Sequence, residues 1–269
     1  MYKIIMNIGI VGLGVIGSAA QYGFQKLGHR IATHDIKRNT QLSDLLESEI
    51  IYICVPTPAN EDGSCNISIV ESVVNQLHLL NYKNIIAIKS TVEPGTTVDL
   101  INTYSNNKIC FVPEFLRERC AVSDFTENHD LLAIGTEDFY VFNKIKESHG
   151  NYPKNVKQIK PTEAELLKYY SNIFNAMRII FANEMYEVAN KLNADYNNIK
   201  EAYVLRNTKD MYLDVNENFR GYGGVCLPKD TKAMAALCKK LGLDLSLFET
   251  IDKENNKFRT TVYDNMRVN

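Results

Sequence analysis

The segment Gly221-Tyr-Gly-Gly-Val-Cys-Leu-Pro-Lys-Asp-Thr-Lys232 delivers a cysteine, a lysine and an aspartate to what reads as a helix start. A cysteine near a helix N-terminus and a lysine gains thiolate character, which suits a nucleophile. Most free cysteines are inert buried hydrophobes, and Cys54, Cys110 and Cys238 read that way; the glycines, Lys229 and Asp230 reverse the reading for Cys226. Lys168 and Asn172 stand four apart on a predicted helix and share a face. An ammonium and an amide so placed could hold an alcohol oxygen as hydride leaves its carbon. Alone, the pair would read as solvent-facing.

A hydride needs an acceptor, and the N-terminal run Ile8-Gly-Ile-Val-Gly-Leu-Gly-Val-Ile-Gly17 places GxGxxG directly after a strand and at the head of a helix. Gly12 permits the tight turn, Gly14 close approach of a pyrophosphate, and Gly17 packing of helix on strand. Asp35, 18 residues beyond Gly17, can bond both ribose hydroxyls and would repel a 2′-phosphate, so NAD is expected over NADP. Lys37 and Arg38, just after Asp35, leave NADP as an alternative, though such residues are more often a solvated loop edge.

Three further polar segments end predicted strands, where ligands bind in open parallel sheets. They are Cys54-Val-Pro-Thr-Pro58, Lys89-Ser-Thr-Val-Glu-Pro-Gly-Thr-Thr97 and Pro113-Glu-Phe-Leu-Arg-Glu118. Glu114 and Glu118 fall on one face if that last turn is helical, and paired acids can divide acid–base work. An ordinary solvated helix start explains such glutamates as readily.

The elements that must position these groups follow from periodicity. Strands are predicted at 7–11, 30–34, 50–55, 85–89, 109–112 and 131–134, with helices between most of them at 17–27, 67–80 and 96–104. That alternation implies an α/β, Rossmann-like, doubly wound parallel sheet. Its first half is pared down, since about twenty residues separate Asp35 from the end of the next strand. From Glu163 to Leu192 there is no Gly or Pro, and Leu166, Tyr170, Ile173, Met177 and Ile180 recur at helical intervals. One long helix is predicted, opened by Pro161-Thr162, with others at 197–205, 230–241 (stopped by Gly242) and 247–266. The expected organisation is an NAD-binding Rossmann domain over 1–160 and an all-helical central domain over 161–269, for substrate and dimerisation.

With 30 Lys plus Arg against 32 Asp plus Glu, the net charge of -2 offers no field for nucleic acid or an anionic membrane. The expected partners are small molecules. The cysteines show no CxxC pair and no metal-ligand spacing, so no metal is expected, and a reducing cytoplasm fits.

Taken together, GIVGLGVIG, CVPTP, STVEPGTT, PEFLRE, the helix AELLKYYSNIFNA and GYGGVCLPKDTK resemble the UDP-glucose and GDP-mannose dehydrogenases, in that family's order. The resemblance implies oxidation of a nucleotide sugar's C6 alcohol to a carboxylate in two hydride transfers, most simply UDP-glucose to UDP-glucuronate, as in polysaccharide biosynthesis. Cys226 then matches the nucleophile that forms a thiohemiacetal and then a thioester. Lys168, Asn172 and Asp230 match groups that position oxygen and water and manage protons, Thr91 joins them, and Glu114 is the candidate activator of the hydrolytic water. The cofactor is expected on Gly12, Gly14, Val15, Ile16, Gly17, Asp35, Val55, Pro56, Thr57, Thr91 and Glu118. The sugar nucleotide is expected on Glu114, Phe115, Leu116, Lys168, Asn172, Tyr222, Gly223 and Lys229.

The chain departs from that pattern at Val112, usually Asn, and at Arg119, usually Gly. The resemblance also implies a further C-terminal domain that closes over the nucleotide, expected to be absent here, so that part of the uridine site is missing unless a separate chain supplies it. A homodimer is expected from the family's assembly through its helical region. Two rivals are a compact beta-hydroxyacid dehydrogenase, with a similar Lys and Asn pair but no need for the cysteine loop, and a non-catalytic NAD-binding relic or partner subunit.

Overall fold

The computed structural model describes residues 5–205, 215–216, 220–244 and 246–258. The chain divides into two compact units, Met1–Pro58 with Asn66–Lys168, and Ala59–Cys65 with Tyr169–Asn269.

The first unit is a seven-stranded sheet in the order β2-β1-β3-β4-β5-β6-β7. The strands are β1 (Asn7–Val11), β2 (Arg30–His34), β3 (Ile50–Ile53), β4 (Ile85–Ile88), β5 (Lys108–Phe111), β6 (Leu131–Gly135) and β7 (Asn155–Ile159). Neighbouring residues feed opposite faces: Ile8, Ile10, Ile50 and Tyr52 pack on one core, and Val11, Ile51, Ile53 and Ile86 on the other. Burial on both sides explains why the central strands read as unbroken apolar runs. Helices α1 (Val15–Lys26), α2 (Ser68–Leu79), α3 (Thr96–Thr103), α4 (Ala121–Thr126) and α5 (Phe139–His149) connect them. Between β2 and β3 there is only a 3₁₀ turn, Leu42–Leu45, in line with the short spacing there.

The sheet is not wholly parallel as expected. β1 to β5 run parallel, but β6 meets β5 antiparallel through Phe111 opposite Gly135, and β7 then pairs parallel to β6. The connection from β5 to β6 carries a 3₁₀ turn and no helix longer than the six-residue α4, where a parallel return is usually made by a full crossover helix. β7 was not expected: Asn155, Lys157 and Gln158 make it a polar edge strand with no apolar run.

The long helix α6 spans Pro161–Lys191. Its start lies against β6, where a Cβ on Gly135 would stand 2.7 Å from the Ala164 Cβ and 3.0 Å from the Pro161 Cα. The remaining helices are α7 (Tyr196–Val204), α8 (Cys226–Lys240) and α9 (Leu247–Asn255). Among its described residues the second unit is helical, apart from isolated bridge residues: Ala59 paired with Cys65, and Asn216 and Arg220. The part of the expected 247–266 helix beyond Phe258 lies outside the described residues.

Candidate active site

At the carboxyl edge of the sheet, β1 turns into α1 through three glycines with different duties. A Cβ on Gly17 would fall 1.9 Å from the Gly12 carbonyl oxygen. One on Gly12, at φ 88°, would fall 2.6 Å from the Cys54 carbonyl oxygen. Gly14 has nothing within 4 Å of that position. Two glycines are therefore demanded by packing, while the third faces open space. No side chain caps α1, whose first amides, toward Val15 and Ile16, are left for an anion.

Asp35 ends the turn after β2. Its carboxylate accepts from the Leu13 amide at 2.7 Å and the Lys37 amide at 2.8 Å. These bonds hold its pKa below the ordinary value, with smaller help from Arg38 and Lys37.

The loops after β3 and β4 are tied together. Ser90 Oγ donates to the Val55 carbonyl at 2.8 Å, fixing the stretch that holds Pro56 and the buried Thr57. Thr91 follows Ser90, partly buried. Lys89 is buried, with its Nζ 3.4 Å from the Val112 carbonyl, and burial lowers its pKa. Burial likewise pushes the Cys54 thiol up to about 12, and raises Cys110 and Cys238. None of these three is a ready thiolate.

Lys168 reaches the loop after β5. Its Nζ donates to the Glu114 carbonyl at 2.7 Å and pairs with Glu114 Oε1 at 3.0 Å. Glu114 Oε2 accepts from the Leu116 amide at 2.9 Å. The candidate base and the candidate oxygen-positioning cation thus hold each other, both side chains under 10% exposed, at 9% and 4%. Phe115 lies beside them, its ring centroid 5.9 Å from the Lys168 nitrogen.

The proposed pairing of Glu114 with Glu118 on one helical face does not occur. The chain is irregular from Val112 to Arg117, and the 3₁₀ turn begins only at Glu118, which is exposed. Arg117 forks onto Asp124, with Nε to Oδ2 at 2.9 Å and Nη2 to Oδ1 at 2.6 Å. Its amide bonds the same Oδ2 at 2.9 Å, holding Arg117 extended where a helical turn would have to pass.

Sequence reasoning missed Glu165. Fully buried, it accepts from the Gly95 amide at 2.6 Å and from the Thr97 amide and hydroxyl at 2.8 and 2.6 Å. It caps the start of α3, as a carboxylate should, and stations α6 one turn before Lys168. The only local hint was a glutamate among apolar positions of α6.

In the second unit Gly221 and Gly224 take φ of 65° and 78°, and the turn they make ends at Cys226, exposed and first in α8. Pro228 is tolerated in that first turn because its missing N–H has no helical acceptor there. Asp230 lies one turn on and so on the same face as Cys226. It is fully buried, accepts from Asn172 Nδ2 at 2.5 Å and pairs with Lys229 at 2.6 Å. Gly223 stands between the two turn glycines. Tyr222 is a core residue at 1% exposure, and burial raises its hydroxyl to about 12. Among the described residues no group of three or more His, Cys, Asp or Glu could hold a metal ion.

Comparison with known proteins puts a family to this arrangement. Residues 37–150 match the UDP-glucose/GDP-mannose dehydrogenase family, NAD binding domain, and residues 162–257 match that family's central domain. The chain belongs to this family. UDP-glucose 6-dehydrogenase YwqF of Bacillus subtilis is 28% identical over 96% of this chain and 68% of its own length. A UDP-glucose dehydrogenase structure from Pyrobaculum islandicum superposes with TM-score 0.85 at 26% identity, over 95% of this chain and 69% of that one. Mycobacterium tuberculosis 3-hydroxyisobutyrate dehydrogenase shares the fold at 13% identity, with TM-score 0.77 over 94% of each chain. The chain thus spans about two thirds of the length of these nucleotide-sugar dehydrogenases. In a member of the UDP-glucose/GDP-mannose dehydrogenase family the cofactor is NAD. The glycine turn lies before the matched residues and fits independently: an open Gly14, an uncapped helix start and a ribose-ready Asp35 are what a dinucleotide needs.

Proposed function

We propose that the chain oxidises the C6 alcohol of a nucleotide sugar, UDP-glucose by preference, to the carboxylate. The observation that carries this reading is Cys226, exposed at the head of α8 with the Asn172–Asp230–Lys229 group buried one turn on. A hydroxyacid dehydrogenase has no use for such a thiol. Two further supports are the family and the Cys226–Asp230 sequence CLPKD, which resembles the UDP-glucose and GDP-mannose branches more than the acetamido-sugar branches, where the lysine usually differs.

Two NAD bound in succession would each accept one hydride per sugar. Lys168 and Asn172 hold the reacting oxygen, and Asp230 takes up protons released from it. Cys226 Sγ adds to the aldehyde carbon while the carbonyl oxygen gains a proton, giving a thiohemiacetal. After the second oxidation that carbon is a thioester. Water then adds, activated by Glu114 once Lys168 shifts from its carboxylate to substrate oxygen, and the carbon–sulfur bond breaks to release carboxylate and thiol. Thr91 contributes a hydroxyl to the water, and Glu118 contacts the cofactor.

A homodimer built on α6 is part of the proposal. Tyr170, Phe174, Phe181 and Val188 recur at helical spacing and are 71%, 43%, 60% and 50% exposed. None of the six cysteines is joined in a disulfide, which suits a reducing cytoplasm. None of the described helices is long and apolar enough to cross a membrane.

The test supplies UDP-glucose, GDP-mannose or 3-hydroxyisobutyrate with NAD and scores NADH per substrate. Two per UDP-glucose are expected, with loss of roughly 10³-fold or more in Cys226→Ser, the usual scale for a nucleophile. Turnover of the hydroxyacid alone, at one NADH each, would overturn the reading. NAD binding without turnover on any of the three would favour a binding subunit.

A further inference from the structure

Four residues before Cys226 the glycine-rich turn is gripped by two buried asparagines. Asn255, the last residue of α9, lies alongside Tyr222: its Oδ1 accepts from the Tyr222 amide at 2.8 Å and its Nδ2 donates to the Tyr222 carbonyl at 2.9 Å. The side-chain amide thus takes the place of a neighbouring strand, satisfying both backbone groups of one residue. Asn183, on α6, uses Oδ1 to accept from the Gly221 amide at 3.1 Å and from Arg220 Nε at 2.9 Å. Its Nδ2 donates to the Ile179 carbonyl at 2.7 Å, which settles which way its amide faces. Arg220 is fixed in turn by Glu187 and lies over the Tyr186 and Phe258 rings, 5.2 and 5.1 Å from their centroids. The asparagines are 1% and 6% exposed. Glycines bring freedom to the turn, and an unrestrained turn could not hold a nucleophile in one place.

We propose that Asn183 and Asn255 are positioning residues for Cys226: they fix residues 220–222, and through them the start of α8, so that the thiol sits at the helix N-terminus in one orientation. This rests on the reading of Cys226 as nucleophile. The two asparagines do different work, which gives the proposal its signature. Asn255 must both accept and donate, so Asn255→Asp loses the bond to the Tyr222 carbonyl and sets oxygen against oxygen. Asn183 need only accept towards the turn, so Asn183→Asp keeps both bonds to the turn and gives up only the donor to the Ile179 carbonyl within its own helix, whereas Asn183→Leu loses all three.

The experiment measures alkylation of Cys226 by iodoacetamide, read by mass spectrometry of its peptide, beside kcat and KM for UDP-glucose. Asn255→Asp and Asn183→Leu should slow alkylation at least threefold and cut kcat about tenfold while KM stays within twofold. Asn183→Asp should match the parent in both. A packing control, Met234→Ala on α8, should lower Tm while leaving alkylation within twofold, because it removes volume and no bond to the turn. A parental or faster alkylation rate in Asn255→Asp, or equal losses in Asn183→Asp and Asn183→Leu, overturns the proposal. If the parent turns over no sugar nucleotide, the functional reading fails, while alkylation still decides whether the asparagines set the thiol.

Discussion

In the first unit the groups offered to a ligand are mainly backbone, whereas in the second they are side chains. Gly14 and the opening turn of α1 present amides, and Asp35 is itself held by amides of Leu13 and Lys37. Around Cys226 the arrangement depends on buried amide, carboxylate and ammonium groups: Asn172, Asp230, Lys229, Asn183 and Asn255. A backbone site needs small residues at fixed spacing, so it leaves a local signature. A side-chain site needs partners brought from far along the chain. The first tolerates almost no change in shape, and the second almost none in hydrogen-bonding character.

The sharpest way to break this contrast is at the glycines themselves. Gly17→Ala would drive a Cβ to 1.9 Å from a backbone oxygen, which no flexible side chain can relieve. A loss of about 4 kcal/mol or more is expected in urea unfolding, on the scale of the most damaging single substitutions. Gly14→Ala meets nothing within 4 Å and should change stability by less than about 1 kcal/mol while weakening NAD binding at least tenfold. If both variants lost stability equally, the open cradle at Gly14 would be wrong.

A second test acts on the first unit's one buried acid–cation contact in the site. Lys168→Met leaves Glu114 without its ammonium, and removing one partner of a buried pair costs about 3–5 kcal/mol. The double variant Lys168→Met, Glu114→Gln should recover most of that stability and none of the activity. Equal instability in single and double variants would show that Lys168 matters for packing alone.

The sequence makes the backbone site legible and the side-chain site only partly so. Gly12, Gly14, Gly17 and Asp35 lie within 24 residues and declare their fold by spacing. The six apolar strands and the long helix follow from periodicity, with β1 and β2 matched at both ends and no boundary shifted by more than two residues. β7 escapes because an edge strand exposes polar residues, and α5 because its signal is a short Asp138 cap, which accepts from the Tyr140 amide at 2.7 Å. Cys226, Lys229 and Asp230 stand out by composition. Glu165 on Thr97, Asp124 on Arg117 and Asn255 on Tyr222 do not, since an isolated polar residue in an apolar stripe looks the same whether or not a distant partner awaits it.

Acid distinguishes the units by their titratable content. All five histidines, at 29, 34, 78, 129 and 149, lie in the first unit. Three are buried, at 7%, 9% and 0% exposure. His129 and His149 face one another at 5.7 Å between ring centroids, beside Phe125. Burial lowers both, with Lys89 adding repulsion, and brings His129 to about 4. A histidine that resists protonation when folded binds more protons unfolded, so its stabilisation is complete above the unfolded value near 6.5 and is lost as pH falls towards 4. For His129 the difference approaches about 3 kcal/mol at its limit. Asp124 adds to this at lower pH, since Arg117 holds its carboxylate below the ordinary value. Hydrogen exchange followed by mass spectrometry between pH 7 and pH 4 should therefore show peptides of β3, β6 and α5 losing protection before those of α8 and α9. His129→Phe should remove part of the pH dependence while fitting the aromatic surroundings. Simultaneous loss in both units would mean that they unfold as one, and unchanged protection at pH 4 would mean that the buried histidines are not what acid reaches first.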